Sequence, residues 1–373
     1  CETRSEDVGH MIERGHKASF DWDRTPAHER AACLDRFADL IEANTPELLA
    51  LCVREAGKTL SDAIPEIREA VDFCRYYGAR ARAEFSEPLV MPGPTGELNE
   101  ISLHGRGVFA CISPWNFPLA IFSGQVTAAL AAGNAVIAKP AEQTPLIAAR
   151  AVAMMHEAGV PEDVLQLMPG DGPTVGKPLV DDPRIAGVAF TGSTETAHLI
   201  QQSLTNRKGP IVPLIAETGG QNAMIVDSTA LPEQVVVDAV FSAFRSAGQR
   251  CSALRVLFVQ NDILPKVTKM LAGATEELRV GNPALLRTDV GPVIDEGAKR
   301  LLEQHAERMG REAKLICKSS LSDECGNGTF FAPQAYEIDS LSMLEREVFG
   351  PVLHVIGFNG DKLDQVVDSI NDT

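Results

Sequence analysis

The chain has no Cys-x-x-Cys pair and no Cys/His spacing that would hold zinc, although it contains eight cysteines. Scattered thiols of this kind read as reduced, which predicts a cytoplasmic setting. No apolar run approaches the length of a membrane span, and nothing at the start has the layout of a secretion signal. Positive charge is in deficit: 34 Lys and Arg against 51 Asp and Glu leave −17 at pH 7. An acidic surface disfavours nucleic acid and anionic membranes as partners. Repeats and low-complexity stretches are missing, and so is a strict Gly-x-Gly-x-x-Gly. What remains is 373 residues of ordinary globular composition, 45% hydrophobic and 23% charged, enough for two domains.

Ala243 to Arg255, AFRSAGQRCSALR, is the most informative stretch. The spacing predicts a helix ending near Gly248, a short loop carrying Cys251, and a strand over 255–259. A thiol on such a loop can face a cleft, and the neighbouring Arg250 guanidinium favours the nucleophilic thiolate. The competing reading is a small hydrophobe at a strand entry.

Residues 1–84 read as packing helices, with Leu34, Phe37, Ala38 and Ile41 on one face and Ile64, Ile67, Val71 and Cys74 on another. Pro88, Pro92, Gly93, Pro94 and Gly96 break residues 86–105 into short extended pieces, the pattern of a protruding two-stranded arm. Such an arm is marginal alone, which suggests pairing with another subunit. From Gly107 short apolar strands alternate with helices: strands at 108–112, 135–138, 164–168, 185–190 and 211–215, then at 223–226 and 255–259. That alternation predicts parallel sheets covered on both faces, with ligands at the carboxyl ends of the strands. The domain boundary is placed at 216/217.

Six loops stand where such a sheet does chemistry. Ile112-Ser113-Pro114-Trp115-Asn116-Phe117-Pro118 offers a rigidly held amide donor, or a turn whose Asn satisfies its own backbone. Lys139-Pro140-Ala141-Glu142 offers a donor and an acceptor to a ribose, or a solvated charge pair. Gly170-Asp171-Gly172 with Gly176 is a near miss to the dinucleotide fingerprint. Phe190-Thr191-Gly192-Ser193-Thr194-Glu195 opens a helix whose free N–H groups attract phosphate, or carries ordinary caps. Glu217-Thr218-Gly219-Gly220-Gln221-Asn222 sets a carboxylate beside two glycines, 34 residues before Cys251. Glu347-Val348-Phe349-Gly350-Pro351 sets a carboxylate and a ring on a loop, or ends a helix.

Taken in order and spacing, PWNFP, AKPAE, FTGSTE, ETGGQN, GQRC and EVFGP resemble the signature segments of the aldehyde dehydrogenase superfamily. SAGQRCSALR, ETGGQN and the arm are similar to the glutamate semialdehyde (pyrroline-5-carboxylate) dehydrogenases, nearest to the dehydrogenase part of the bifunctional proline utilization A proteins. The resemblance implies an α/β fold of two doubly wound domains with a protruding β-arm: residues 1–216 would bind NAD and residues 217–373 would carry the nucleophile. Cys251 would attack the aldehyde, Asn116 and the Cys251 N–H would hold the oxyanion, and Glu217 would activate water. Ile112, Ser113, Pro114, Trp115, Lys139, Glu142, Gly172, Gly176, Phe190, Thr191, Gly192, Ser193, Thr218, Gly219, Glu347 and Phe349 would line the cofactor. Glu142 would repel a 2′-phosphate, which favours NAD over NADP. Arg250 and Ser252 would meet the substrate carboxylate, Phe117 its aliphatic part, and Glu69 would border the entrance; no metal is implied. The resemblance further implies a homo-oligomer, and a chain truncated at both ends that lacks the family's substrate-anchoring loop. An FAD-dependent proline dehydrogenase domain would lie upstream if the chain belongs to proline utilization A.

Overall fold

The computed structural model describes residues 2–373. The chain divides into two compact units: one holds the chain up to Ala56 and Ile64–Thr218, the other Gly57–Ala63 and Gly219–Thr373.

Four helices come first: α1 (Ser5–Arg24), α2 (Ala27–Ala43), α3 (Thr45–Ala56) and α4 (Leu60–Glu84). Pro26 separates the first two, since a proline cannot continue the hydrogen-bonded ladder of a preceding helix. The face expected on α2 is the buried one, with Leu34, Phe37, Ala38 and Ile41 almost fully covered. On α4 the expected face is rotated. Ile64 is exposed, and the covered positions are Ala63, Ile67, Ala70 and Cys74. Small alanines mark that face, so the larger Ile64 misdirects a reading based on bulk. The arm follows as β1 (Leu89–Met91) paired antiparallel with β2 (Asn99–Ile101), every residue exposed.

The first unit's sheet contains β3 (Val108–Ile112), β4 (Ala135–Lys139), β5 (Leu165–Leu167), β6 (Ile185–Thr191) and β7 (Leu214–Glu217). They lie in the order β5-β4-β3-β6-β7, all parallel. Helices α5 (Ala120–Ala131), α6 (Pro145–Glu157), α7 (Lys177–Asp181) and α8 (Thr194–Asn206) make the crossovers. The strand order reverses at β3, so the crevice between the ends of β3 and β6 is the expected ligand position. β7 departs from the sequence reading. Pro213 interrupts the apolar run at Ile211, so the strand begins at Leu214 and extends to the charged Glu217.

In the second unit β8 (Ala223–Val226), α9 (Pro232–Phe244), β9 (Val256–Gln260) and α10 (Leu264–Glu276) are followed by α11 (Glu296–Glu312), β10 (Lys314–Lys318), β11 (Gln334–Glu337), β12 (Val352–Phe358) and α12 (Leu363–Asn371). The order is β10-β11-β12-β9-β8, and β10 alone runs antiparallel. This sheet is therefore mixed, where sequence alternation predicts a parallel one. The antiparallel strand sits at the edge, the usual place in a doubly wound sheet. Val256 to Val259 and Val352, Leu353 and Val355 form its core, covered on both faces.

Candidate active site

In the first unit the loops after β3, β4 and β6 open at one edge of the sheet, because the strands are parallel. Ser113 and Asn116 are buried on the β3 loop, while Ile112, Pro114, Trp115 and Phe117 are half-buried. This loop is fastened at both ends. The Ser113 N–H donates to the Lys139 carbonyl at 3.1 Å. At the other end the fully buried Glu66 of α4 accepts from the Leu119 N–H at 2.9 Å and the Ala120 N–H at 3.4 Å. Glu66 thus satisfies two open N–H groups at the start of α5, three and four residues after Asn116.

Lys139 is the last residue of β4, not of the following loop, and its ammonium is buried. It donates to the Pro140 carbonyl at 3.1 Å and stands 3.9 Å from the exposed Glu142 carboxylate. Burial lowers the Lys139 pKa, and Glu142 and Asp171 act against that. Gly176 lies along the Lys139 side chain: a Cβ there would sit 3.5 Å from Lys139 Cε. Gly172 faces open space, and Asp171 accepts from the Thr174 N–H at 2.6 Å, which fixes the turn between them. Ser193 caps α8 by accepting from the Thr196 N–H at 3.2 Å. Thr191 is held by Gln125 at 2.9 Å. Phe190 is buried at the end of β6 and fills the space a side chain on Gly192 would need. The Gly192 N–H donates to the Glu217 carbonyl at 3.1 Å. Glu217 itself ends β7 with an exposed side chain, and Thr218 is half-buried. Glu69 is exposed on α4.

In the second unit the stretch before the thiol is not the smooth helix end expected. Ser246 and Ala247 both adopt left-handed backbone, φ 52° and 53°, and Gly248 follows at 65°. Left-handed backbone costs an L-residue about 1–2 kcal/mol, so the turn must be held from outside. Asp62 holds its entry. It accepts from Arg245 Nε at 2.7 Å, the Ser246 N–H at 3.0 Å and the Thr59 hydroxyl at 2.8 Å. The Ile294 N–H donates to Gln249 Oε1 at 2.8 Å. Asn222 holds the thiol's own peptide, donating to the Cys251 carbonyl at 2.6 Å and the Ala253 carbonyl at 2.9 Å. Cys251 is half-buried on this turn, between half-buried Arg250 and exposed Ser252.

The exit is held by Arg255, whose side chain is 1% exposed. Its Nη1 donates to the Gly248 carbonyl at 2.6 Å and the Gly350 carbonyl at 3.3 Å. Its Nη2 donates to the Arg250 carbonyl at 2.9 Å and Glu347 Oε1 at 2.9 Å, and Nε reaches the same oxygen at 3.1 Å. The guanidinium stands 5.1 Å from the Phe349 ring centre. Gly219 packs against the Glu347 carboxylate, and a Cβ there would push that carboxylate from its place.

Each unit thus gathers its own share of the residues named from the sequence: Asn116, Lys139, Glu142, Ser193 and Glu217 on one sheet, Cys251, Gly219, Glu347 and Phe349 on the other. Asp62, Glu66, Asn222 and Arg255 were missed as functional. Among the described residues no three His, Cys, Asp or Glu side chains are grouped to hold a metal, and no helix is long and apolar enough to cross a membrane. The first unit fits a dinucleotide by its own chemistry. A buried ammonium beside an exposed carboxylate suits a ribose diol, an uncrowded glycine permits close approach, and the capped start of α8 suits a pyrophosphate.

The chain belongs to the aldehyde dehydrogenase family, whose profile matches residues 2–373, and that family generally uses NAD or NADP. It is 53% identical to the bifunctional protein PutA of Klebsiella aerogenes over 94% of its length, and spans about a quarter of that protein, 26%. It is 36% identical to a 1-pyrroline-5-carboxylate dehydrogenase of Geobacillus thermodenitrificans, covering 92% of this chain and 68% of the other. The fold superimposes on a substituted proline utilization A of Bradyrhizobium japonicum with a TM-score of 0.98 at 52% identity, over the whole chain and 38% of that structure.

Proposed function

We propose that the chain oxidises L-glutamate 5-semialdehyde, the open form of pyrroline-5-carboxylate, to L-glutamate with NAD+, as the second step of proline breakdown within a longer bifunctional protein. The carrying observation is a half-buried thiol held on a strained, multiply fastened turn in a chain of this family. The names of the relatives supply the substrate.

In this reading the Cys251 thiolate adds to the aldehyde carbon and forms a thiohemiacetal. The carbonyl oxygen becomes an alkoxide, met by the Asn116 amide and the Cys251 N–H. Bound NAD+ supplies the acceptor for the hydride that then leaves the carbon. Glu217 takes a proton from water, which attacks the Cys251 thioester and releases the carboxylate and the thiolate. The sum is aldehyde, water and NAD+ to carboxylate, NADH and two protons. Lys139 and Glu142 hold the adenosine ribose, Ser193 faces the pyrophosphate, and Glu347 and Phe349 serve the nicotinamide half. Arg250 and Ser252 take the substrate carboxylate, with Phe117 on the methylenes and Glu69 at the entrance. We assign the dinucleotide to the first unit and the nucleophile to the second, and the exposed arm to pairing between copies.

The test is NADH formation by the full native polypeptide and its Cys251→Ser variant. Activity in the first and background in the second is the expected result. A preference for uncharged aldehydes over glutamate semialdehyde would sink the substrate assignment while leaving the chemistry in place.

A further inference from the structure

Arg255 is a fully buried cation whose donors divide between two groups that the chain keeps far apart. Residues 248 and 250 belong to the turn that carries the thiol, and residues 347 and 350 lie about a hundred positions on. Its planar fork is what permits this. One nitrogen faces Gly248 and Gly350, the second faces Arg250 and Glu347, and the third returns to Glu347. A lysine ammonium in the same place lacks the reach and the fixed directions to satisfy both sides. The turn needs such a clamp, since Ser246 and Ala247 carry left-handed strain immediately before it. Glu347 is held by it too: Oε1 accepts from Arg255 Nε and Nη2, while Oε2 lies against Gly219.

We propose that Arg255 is a positioning residue that ties the Glu347 carboxylate to the backbone of the Cys251 turn, so that one guanidinium sets both the seat of the nicotinamide ribose and the aim of the thiol. This rests on the proposed roles of Glu347 and Cys251, but not on the identity of the aldehyde. The hydrogen bonds of Arg255 go to the Gly248, Arg250 and Gly350 carbonyls and to Glu347, and its charge also acts on the Cys251 thiol. Its positioning acts through the Gly248 and Arg250 carbonyls on one side and Glu347 on the other.

The experiment compares the native full-length protein with Arg255→Lys and Arg255→Met, using two readouts that need no aldehyde. One is the rate at which iodoacetamide alkylates Cys251, read on its own peptide and followed to the plateau where raising the pH no longer speeds it. There the rate reports accessibility and aim, with thiolate fraction no longer a variable. The other is the dissociation constant of NAD+. In Arg255→Lys we expect the plateau rate to fall about fivefold and NAD+ to bind about tenfold more weakly, although the charge is retained. A purely electrostatic role predicts that lysine restores both, and that result overturns the proposal. So does a change in one readout with the other at the native value, because the residue would then serve one side only. If Arg255→Lys loses cooperative unfolding, Glu347→Gln carries the test. It keeps an acceptor oxygen for the fork but weakens the pair, and it should slow the plateau alkylation of Cys251. A native alkylation plateau in folded Glu347→Gln refutes the coupling. Failure of the substrate assignment looks different: no NADH from glutamate semialdehyde, with both readouts still moved by Arg255→Lys.

Discussion

Asn116 and Glu217 have separable signatures, since one serves the addition step of the proposed cycle and the other the hydrolysis of the thioester. Asn116→Ala should lower kcat roughly 10²- to 10³-fold, the usual cost of removing one oxyanion donor. Its KM should move little, and a loss confined to KM would contradict the assignment. Glu217→Gln should release one rapid equivalent of NADH and then stall, with an acyl group on Cys251 visible by intact-mass spectrometry. A variant that fails to make even that first equivalent would place Glu217 before hydride departure instead of after it. The supporting residues escape a sequence reading for a plain reason. Asp62 and Glu66 look like the solvated face of a helix, and only their hydrogen bonds to residues 246 and 119 reveal them. Arg255 left a trace that was available: a lone cation between Leu254 and Val256, inside an otherwise apolar run.

At the scale of elements, legibility followed how sharply apolar runs were bounded. Val108–Ile112 and Ala223–Val226 form strands over the expected residues, because glycine or polar residues close both ends. β7 shifted since its last residue is a glutamate, which no apolar pattern includes. α11 and β12 hold a feature that patterning does not show. His354 Nδ1 donates to the Arg255 carbonyl at 3.2 Å, which leaves its Nε2 as acceptor for the His305 Nε2–H at 2.9 Å. Burial holds His305 down to about 4 and, with its neighbour His305, His354 to about 3. Both are therefore neutral in the folded chain where the unfolded chain, near 6.5, already takes up protons. Their contribution is complete above that unfolded value and is lost as pH falls through it toward the folded ones. The unfolding temperature should drop between about pH 7 and about pH 5, with a shallower slope in His305→Gln, which does not titrate. Equal slopes in the two proteins would assign the effect to other groups.

Across the whole molecule, binding of the dinucleotide should be visible as stability. NAD+ at about a hundredfold excess over its dissociation constant should add about 2.7 kcal/mol to unfolding. NADP+ at the same concentration should add less, because the exposed Glu142 carboxylate beside Lys139 would face its 2′-phosphate. In Glu142→Ser the two cofactors should converge. Equal stabilisation by both in the native protein would remove Glu142 as the discriminating residue. The overall acidity, −17, says little about this choice, which the proposed role of Glu142 would decide within one ribose. Composition set the class of protein, the alternation of strands and helices set the architecture, and six short segments located the candidate chemistry. The mixed second sheet and the buried clamps needed coordinates, since they depend on which distant segments meet.

The left-handed pair at Ser246 and Ala247 has a consequence for anyone engineering this chain. Glycine adopts that backbone without the steric penalty, so Ser246→Gly or Ala247→Gly is an obvious thermostabilising substitution on conformational grounds. Ala247→Gly would set two glycines in a row and Ser246→Gly two glycines one residue apart, a few positions ahead of the nucleophile. The heat tolerance gained would come with a thiol that wanders, and a screen scored on melting temperature alone would select the slower enzyme.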